Sequence, residues 1–86
     1  MVEIIYTKHS LKRCEERWIS FEEVETTIHS SKWVKVKYGR FSAVKAFDCN
    51  QCFMDIFYNK KEVKVVFCVN GGKIIVITAI ARYFME

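Results

Sequence analysis

The hydrophobic period of this 86-residue chain changes once, and that change limits the fold more than any other feature. Apolar residues recur at helical spacing over residues 7–31, and from residue 33 onward they follow the shorter period of β-strands. A short apolar run over residues 2–6 predicts a strand before the helices. The chain has no proline, three glycines and no linker-like stretch, so we expect a single domain over residues 1–86.

Local signals delimit two predicted helices. Thr7 is placed to cap the first helix, which we expect to end by residue 17 or 18. Ser20-Phe-Glu-Glu23 forms a capping box, and Ile19 and Val24 are spaced as a hydrophobic staple, so the second helix should run from residue 21 to about residue 29. Helical periodicity predicts that the two helices turn these residues inward: Leu11, Cys14, Trp18, Phe21, Val24 and Ile28.

Turn residues divide the rest of the chain into five predicted strands, over residues 33–38, 41–48, 53–58, 62–69 and 73–81. Gly39-Arg40 fits a two-residue type II′ turn. The runs 65–67 and 74–77 alternate poorly, so we expect their strands to be central and covered on both faces.

The order of elements predicts an α+β fold, with two N-terminal helices packed on one face of an antiparallel four- to six-stranded sheet. We expect the core to contain Leu11, Trp18, Val24, Ile28, Val66 and Ile75.

Charge and hydropathy narrow the function only slightly. The net charge of +4 is a mild preference for an anionic partner. The longest apolar stretch, residues 74–81, is too short to span a bilayer, and the Met-Val-Glu start lacks the features of a signal peptide. We therefore expect a cytoplasmic protein that has no membrane partner.

Three residues of the first predicted helix are candidates for a catalytic site. His9, Arg13 and Arg17 recur every four residues, which places them within an arc of about 80° along roughly 12 Å of helix. An imidazole beside two guanidiniums suits proton transfer at a phosphate whose charge the arginines hold. The alternative is a solvated face on which the arginines form ion pairs with Glu15, Glu16 and Glu22.

Residues 6–24 read Tyr-Thr-Lys-His9-Ser-Leu-Lys-Arg13-Cys-Glu-Glu-Arg17-Trp-Ile-Ser20-Phe-Glu-Glu23-Val. This stretch resembles the prokaryotic domain of unknown function 4258. That family opens with a His, two Args at this spacing and an Ile-Ser/Thr-x-Glu-Glu-Val start to its second helix. The last strand, Ile74-Ile-Val-Ile-Thr78, is also like the end of the family.

The family is similar to the RelE/BrnT-like toxins, small ribonucleases of toxin–antitoxin pairs. The resemblance implies a RelE-like fold, RNA as the substrate and a cognate antitoxin protein as a partner. It implies an RNA-cleaving site at His9, Arg13 and Arg17, and extends that site to Thr78 in the last strand. A charge above +4 is usual in such toxins, and a Cys49–Cys52 loop is not typical of the family.

The implied reaction uses neither a metal nor a cofactor. A base removes the ribose 2′-OH proton, the oxygen attacks phosphorus, and the 5′-oxygen departs with a proton. His9 is the single good acid/base candidate, because His29 is expected to interact with the dipole at the end of the second helix. Arg82 lies four residues beyond Thr78, on the same face of a regular strand, and is predicted to bind RNA together with Arg13 and Arg17.

Other functions are compatible with the same residues. One is a non-catalytic nucleic-acid- or protein-binding module, and another is an interaction domain whose sheet edge receives a partner strand. Four aromatic residues can either pack in the core or stack on bases: Tyr6, Tyr38, Tyr58 and Tyr83.

The four cysteines also leave alternatives open. Cys49-Asn-Gln-Cys52 supplies half of a zinc site, and completing it would require Cys14 and Cys68 to converge on a predicted loop. A disulfide within that loop is a second interpretation, and inert thiols are the third. We predict no bound metal, and we expect Cys14 and Cys68 to be core residues.

Overall fold

The structure, a computed structural model, describes residues 3–85 without the side chains of Gln51 and Phe53, and it confirms the α+β class. The helices are α1 (Lys8–Glu16) and α2 (Phe21–Ser30), and the strands are β1 (Glu3–Tyr6), β2 (Val34–Lys35), β3 (Phe41–Phe53), β4 (Ile56–Asn70) and β5 (Lys73–Phe84). These strands form one sheet in the order β1-β5-β4-β3-β2. The pair β1–β5 is parallel, which the sequence did not predict, and the other pairs are antiparallel. Val2, predicted to be in the first strand, lies outside the described residues.

Both helix starts are as predicted. Thr7 Oγ1 accepts a bond from Ser10 N at 3.1 Å, and the two bonds of the capping box between Ser20 and Glu23 are present. The first helix ends at Glu16. Two residues later, Trp18 adopts a left-handed conformation with φ 53°. The N–H of Ile19 then bonds to the carbonyl of Cys14 at 2.9 Å, which closes the helix in a Schellman motif. Neither helix in the described chain is long and apolar enough to cross a membrane.

The helices cover one face of the sheet, and the core lies between the helices and that face. Val24 and Ile28 are buried as predicted. Leu11, Trp18 and Phe21 were wrongly predicted to face inward, since all three are exposed. The buried stripe of α1 consists instead of Ser10 and Cys14, whose small side chains let the helix approach the strands closely. The other buried apolar residues are Ile19, Ala43, Val63, Val65, Phe67, Ile74, Val76 and Ala79.

The opposite face of the sheet has no helix against it in the described chain, so the prediction of cover on both faces is wrong. Val66 and Ile75, predicted core residues, are only partly buried there. Val66 lies between buried Val65 and Phe67, and therefore points to the other side of the strand. Poor alternation in these runs thus reflects an apolar outer face.

The hairpins also differ from the prediction. Residues 49–52 lie within β3, beside a bulge between Asp48 and Gln51, and residues 59–61 lie within β4. The chain reverses at Met54 and Asp55, which have φ values of 51° and 67°. A type I′ turn needs positive φ at both central residues, a geometry usually signalled by Asn-Gly, and Met-Asp carries no such signal.

The first hairpin reverses one residue earlier than predicted. Tyr38 and Gly39 have φ values of 64° and 68°, whereas a type II′ turn at Gly39-Arg40 was expected. Gly71 and Gly72, both with positive φ, connect β4 to β5 at the predicted position.

A buried ion pair joins the helices to the centre of the sheet. Lys61 on β4 is 6% exposed, and its Nζ lies 2.9 Å from Oε1 of Glu23. The same ammonium donates to the backbone carbonyl of Trp18 in the turn between the helices. Glu23 Oε1 also accepts from the N–H of Ser20 at 2.9 Å, so one carboxylate group both caps α2 and holds β4.

We expect Lys61→Ala to lower the free energy of unfolding by about 3 kcal/mol, because it leaves a shielded carboxylate and a carbonyl without their cation. Chemical denaturation followed by circular dichroism measures this. Lys73→Ala removes an exposed pair with Glu3 and should change stability by less than about 0.5 kcal/mol. Equal losses in the two variants would show that the buried pair is not a main source of stability.

Candidate functional site

Helix α1 is fastened along the side of β5 that β1 leaves open. β1 pairs only with residues 73–76. Beyond that point, Thr7 N donates to Val76 O at 3.3 Å, and Thr7 Oγ1 donates to Ile77 O at 3.3 Å. At the other end of the helix, Arg17 Nη1 donates to Ala79 O at 2.9 Å. The carbonyls of the strand edge thus hold both ends of α1.

His9 and Arg13 are in contact on the solvent side of α1. Arg13 Nε–H donates to His9 Nε2 at 3.5 Å, and Arg13 Nη1 lies 3.3 Å from Glu16 Oε1. Nε2 is the acceptor of this bond, so its lone pair is directed at the guanidinium. The three side chains form a row in which a guanidinium connects an imidazole to a carboxylate.

An open cleft of about 530 Å³ begins where this row ends. Three aromatic side chains, two arginines and a carboxylate contribute to its lining, which consists of Glu16, Arg17, Trp18, Tyr58, Ala81, Arg82 and Tyr83. Aromatic rings beside guanidinium groups are the combination that binds single-stranded nucleic acid.

Contacts between the elements hold the cleft in shape. The Tyr58 and Tyr83 rings are 6.3 Å apart, centroid to centroid, and Tyr83 Oη donates to Arg17 O at 3.4 Å. Arg82 on the rim ion-pairs with Glu62 at 3.4 Å. Tyr58 reaches the cleft from the β3–β4 hairpin, which extends past the end of β5 and lengthens the molecule to 45 Å along its longest axis.

The predicted site residues fall into separate places. His9 and Arg13 meet, whereas the head of Arg17 turns onto the β5 backbone and into the cleft. Thr78 does not approach them. It pairs with Val66, and its neighbour Ala79 is buried under the helices, so Thr78 faces the opposite side of the sheet.

Arg82 shares that face with Thr78, as the alternation predicted, and pairs there with Glu62. It still reaches the rim of the cleft. The cleft therefore contains Arg17 and Arg82, and His9 and Arg13 lie further along α1.

Sequence reasoning did not assign Glu16 or Trp18 to the site, and it named Tyr58 and Tyr83 as rings that either stack on bases or pack in the core. Glu16 looked like an ordinary surface carboxylate, and Trp18 was assigned to the core by its spacing. Trp18 is 62% exposed and occupies the left-handed position that helix ends usually give to glycine. A large residue at this strained position was the one available signal, because strained residues concentrate at functional sites.

The remaining candidates have structural partners or lie elsewhere. The Tyr6 hydroxyl donates to Glu25 Oε2 at 3.2 Å, and burial together with that carboxylate raises the pKa of the Tyr6 phenol. Tyr38 lies in the β2–β3 turn, and His29 lies in the last turn of α2.

The four cysteines do not come together in a disulfide or a shared cluster. All four are free thiols, and Cys49 and Cys52 lie within β3. Cys14 is buried as predicted, and Cys68 is partly buried. In the described part of the chain, no three His, Cys, Asp or Glu side chains are grouped so that they could hold a metal ion.

A protein-family profile matches most of the chain. The profile of the family named Domain of unknown function (DUF4258) matches residues 6–81, so the chain belongs to that family. The match covers both helices and most of the sheet. Comparison with curated proteins and with solved structures finds no match.

The burial of Cys14 predicts its reactivity. Burial, and then the Glu23 carboxylate, raises the pKa of the Cys14 thiol, so less of it is thiolate at a given pH. We expect iodoacetamide at pH 8 to alkylate exposed Cys52 at least ~100-fold faster than Cys14, because Cys14 must wait for local opening. Peptide mass mapping over time measures both rates. Similar rates in the folded protein would contradict this burial, and denatured protein serves as the control.

Proposed function

We propose that the protein is a metal-independent endoribonuclease of the cytoplasm, acting as the toxin of a toxin–antitoxin-like system with a RelE-like reaction. One observation carries the proposal. An accessible imidazole, with its acceptor nitrogen against a guanidinium, lies along α1 from a cleft lined by aromatic and arginine side chains.

His9 is the general base in this proposal. When the substrate phosphate draws the Arg13 guanidinium away from Nε2, that nitrogen takes the proton of a ribose 2′-OH as the oxygen forms a bond to the adjacent phosphorus. The bond from phosphorus to the 5′-oxygen breaks, and the departing oxygen takes a proton from water or from the imidazolium. The products are a 2′,3′-cyclic phosphate and a 5′-OH end.

Arg13 holds the reacting phosphate and stabilises the charge that develops on its oxygens. Glu16 orients Arg13 through the contact at 3.3 Å. These two residues are spaced so that the guanidinium stays beside His9 rather than turning freely in solvent.

The cleft binds the nucleotides that flank the cleaved bond. Residues 9 and 17 are separated by about 12 Å along the helix axis, so an RNA strand at His9 reaches the cleft within a few nucleotides. Arg17 and Arg82 contact phosphates there, and Trp18, Tyr58 and Tyr83 stack on bases.

We expect His9→Ala to slow RNA cleavage about 10²–10⁴-fold with little change in RNA affinity, because the base is lost but the phosphate contacts remain. The assay incubates purified protein with end-labelled RNA in EDTA and identifies cyclic phosphate ends. His29→Ala, which removes the other histidine of the chain, is the matched control and should cleave normally. RNA binding without cleavage in the wild-type protein would instead support a non-catalytic binding module.

We expect Trp18→Gly to weaken RNA binding about 5- to 100-fold, the effect of removing one stacking ring. The folded state should remain nearly as stable, because glycine relieves a left-handed conformation that costs other residues about 1 kcal/mol. Filter binding and thermal unfolding measure the two effects. Full RNA affinity in a stable Trp18→Gly variant would exclude the cleft as the binding site.

A further inference from the structure

The positive charge of the chain is concentrated at one edge of the sheet. Residues 26–47 contain five basic residues and no acidic residue, while the rest of the chain has nine basic and ten acidic residues. This one segment therefore accounts for the whole net positive charge. The five are Lys32, Lys35, Lys37, Arg40 and Lys45. None of them forms an ion pair with another described residue.

The same segment borders an open strand edge. β2 pairs only with Phe41 and Ser42 of β3, and β3 continues to Phe53. From Ala43 onward, no described strand pairs with this side of β3, and no backbone hydrogen bond from a described loop or helix reaches residues 43–50. An edge strand of this length presents a row of backbone donors and acceptors to a further strand.

We propose that the free edge of β3, residues 43–50, binds an acidic polypeptide segment in extended conformation, as a sixth strand of the sheet. Backbone hydrogen bonds supply the affinity, and acidic side chains of the segment neutralise Lys45 on the edge and the basic residues just before it. Asp48, the acidic residue of this edge, is paired with Lys60. This proposal does not rest on RNA cleavage, because the edge lies on the opposite side of β4 from β5 and α1.

The charge also selects the occupant. A second copy that paired in parallel with this edge would bring the two basic segments together, and like charges at an interface oppose association. An RNA strand would require a row of open aromatic rings. Trp33 and Phe41 instead pack against core residue Phe67, with centroids 4.8 Å and 6.0 Å away. Tyr38 is 88% exposed and Trp33 39%, so this stretch has no row of fully open rings.

The test titrates ¹⁵N-labelled protein with a twelve-residue peptide of alternating valine and glutamate, with capped ends. We expect amide shifts and slowed hydrogen exchange over residues 43–50. The double variant Lys35→Glu, Lys45→Glu should bind this peptide about tenfold more weakly, or worse. Lys8→Glu with Lys12→Glu makes the same change of net charge on α1 and should bind like the wild type.

Two further probes separate the contributions. A valine–lysine peptide and a valine–glutamate peptide N-methylated at every residue should both fail to bind, because the first repeats the charge of the edge and the second has no backbone N–H donors on either side of the strand. Circular dichroism verifies that each protein variant is folded. Absent shifts, equal binding of the methylated peptide, equal weakening in the α1 variant, or displacement of the acidic peptide by twelve-residue oligouridylate would overturn the proposal.

Discussion

The contact between Lys61 and Glu23 is the interaction on which the arrangement of helices and sheet depends. A lysine is seldom placed under a pair of helices, because removing its charge from water costs free energy unless partners surround it. Here the partners are the carboxylate that caps α2 and the carbonyl of Trp18 in the turn between the helices. One ammonium group therefore ties the two helices to each other and to β4. The ring of Tyr83, 5.8 Å from the same nitrogen, extends this cluster to β5.

The candidate site is built outward from that cluster. Trp18 can present its ring to the cleft because its carbonyl is held by Lys61 while its backbone is held in the left-handed conformation. Arg17, the residue before it, bridges from the helix end to the β5 carbonyl, so its guanidinium serves the fold as well as the cleft. His9 and Arg13, in contrast, contact each other on the exposed side of α1. The proposed cleavage uses this exposure and contact, and Arg13 also forms the ion pair with Glu16 that the alternative of a solvated face predicted.

The two edges of the sheet differ in how much of their length is covered by other elements. On one side, β1 and α1 cover the edge of β5 almost continuously, with Thr7 and Arg17 supplying donors where the strand pairing stops. On the other side, β2 is two residues long and leaves most of β3 open. Lys45 lies on the open edge and four more basic residues lie just before it, none with an ion-pair partner among the described residues. Charged residues at a strand edge discourage pairing between like copies. The proposed cleavage site and the proposed strand-binding edge thus use opposite sides of one sheet.

The sequence by itself determined what depends on near neighbours in the chain: the caps at Thr7 and Ser20, the start of each helix, the Gly71-Gly72 turn, and the spacing that brings His9 to Arg13. It did not reveal what depends on distant contacts or on strained backbone. Tyr38 and Met54 have positive φ although residues of these types seldom do. The predicted ends of the adjoining strands therefore differ from those in the structure. The face of Thr78 and the exposure of Leu11 and Trp18 follow from how α1 lies on β5, which no local pattern encodes. Tertiary packing alone decided which residues surround the cleft, because the cleft forms where a helix end, a hairpin and a strand end meet.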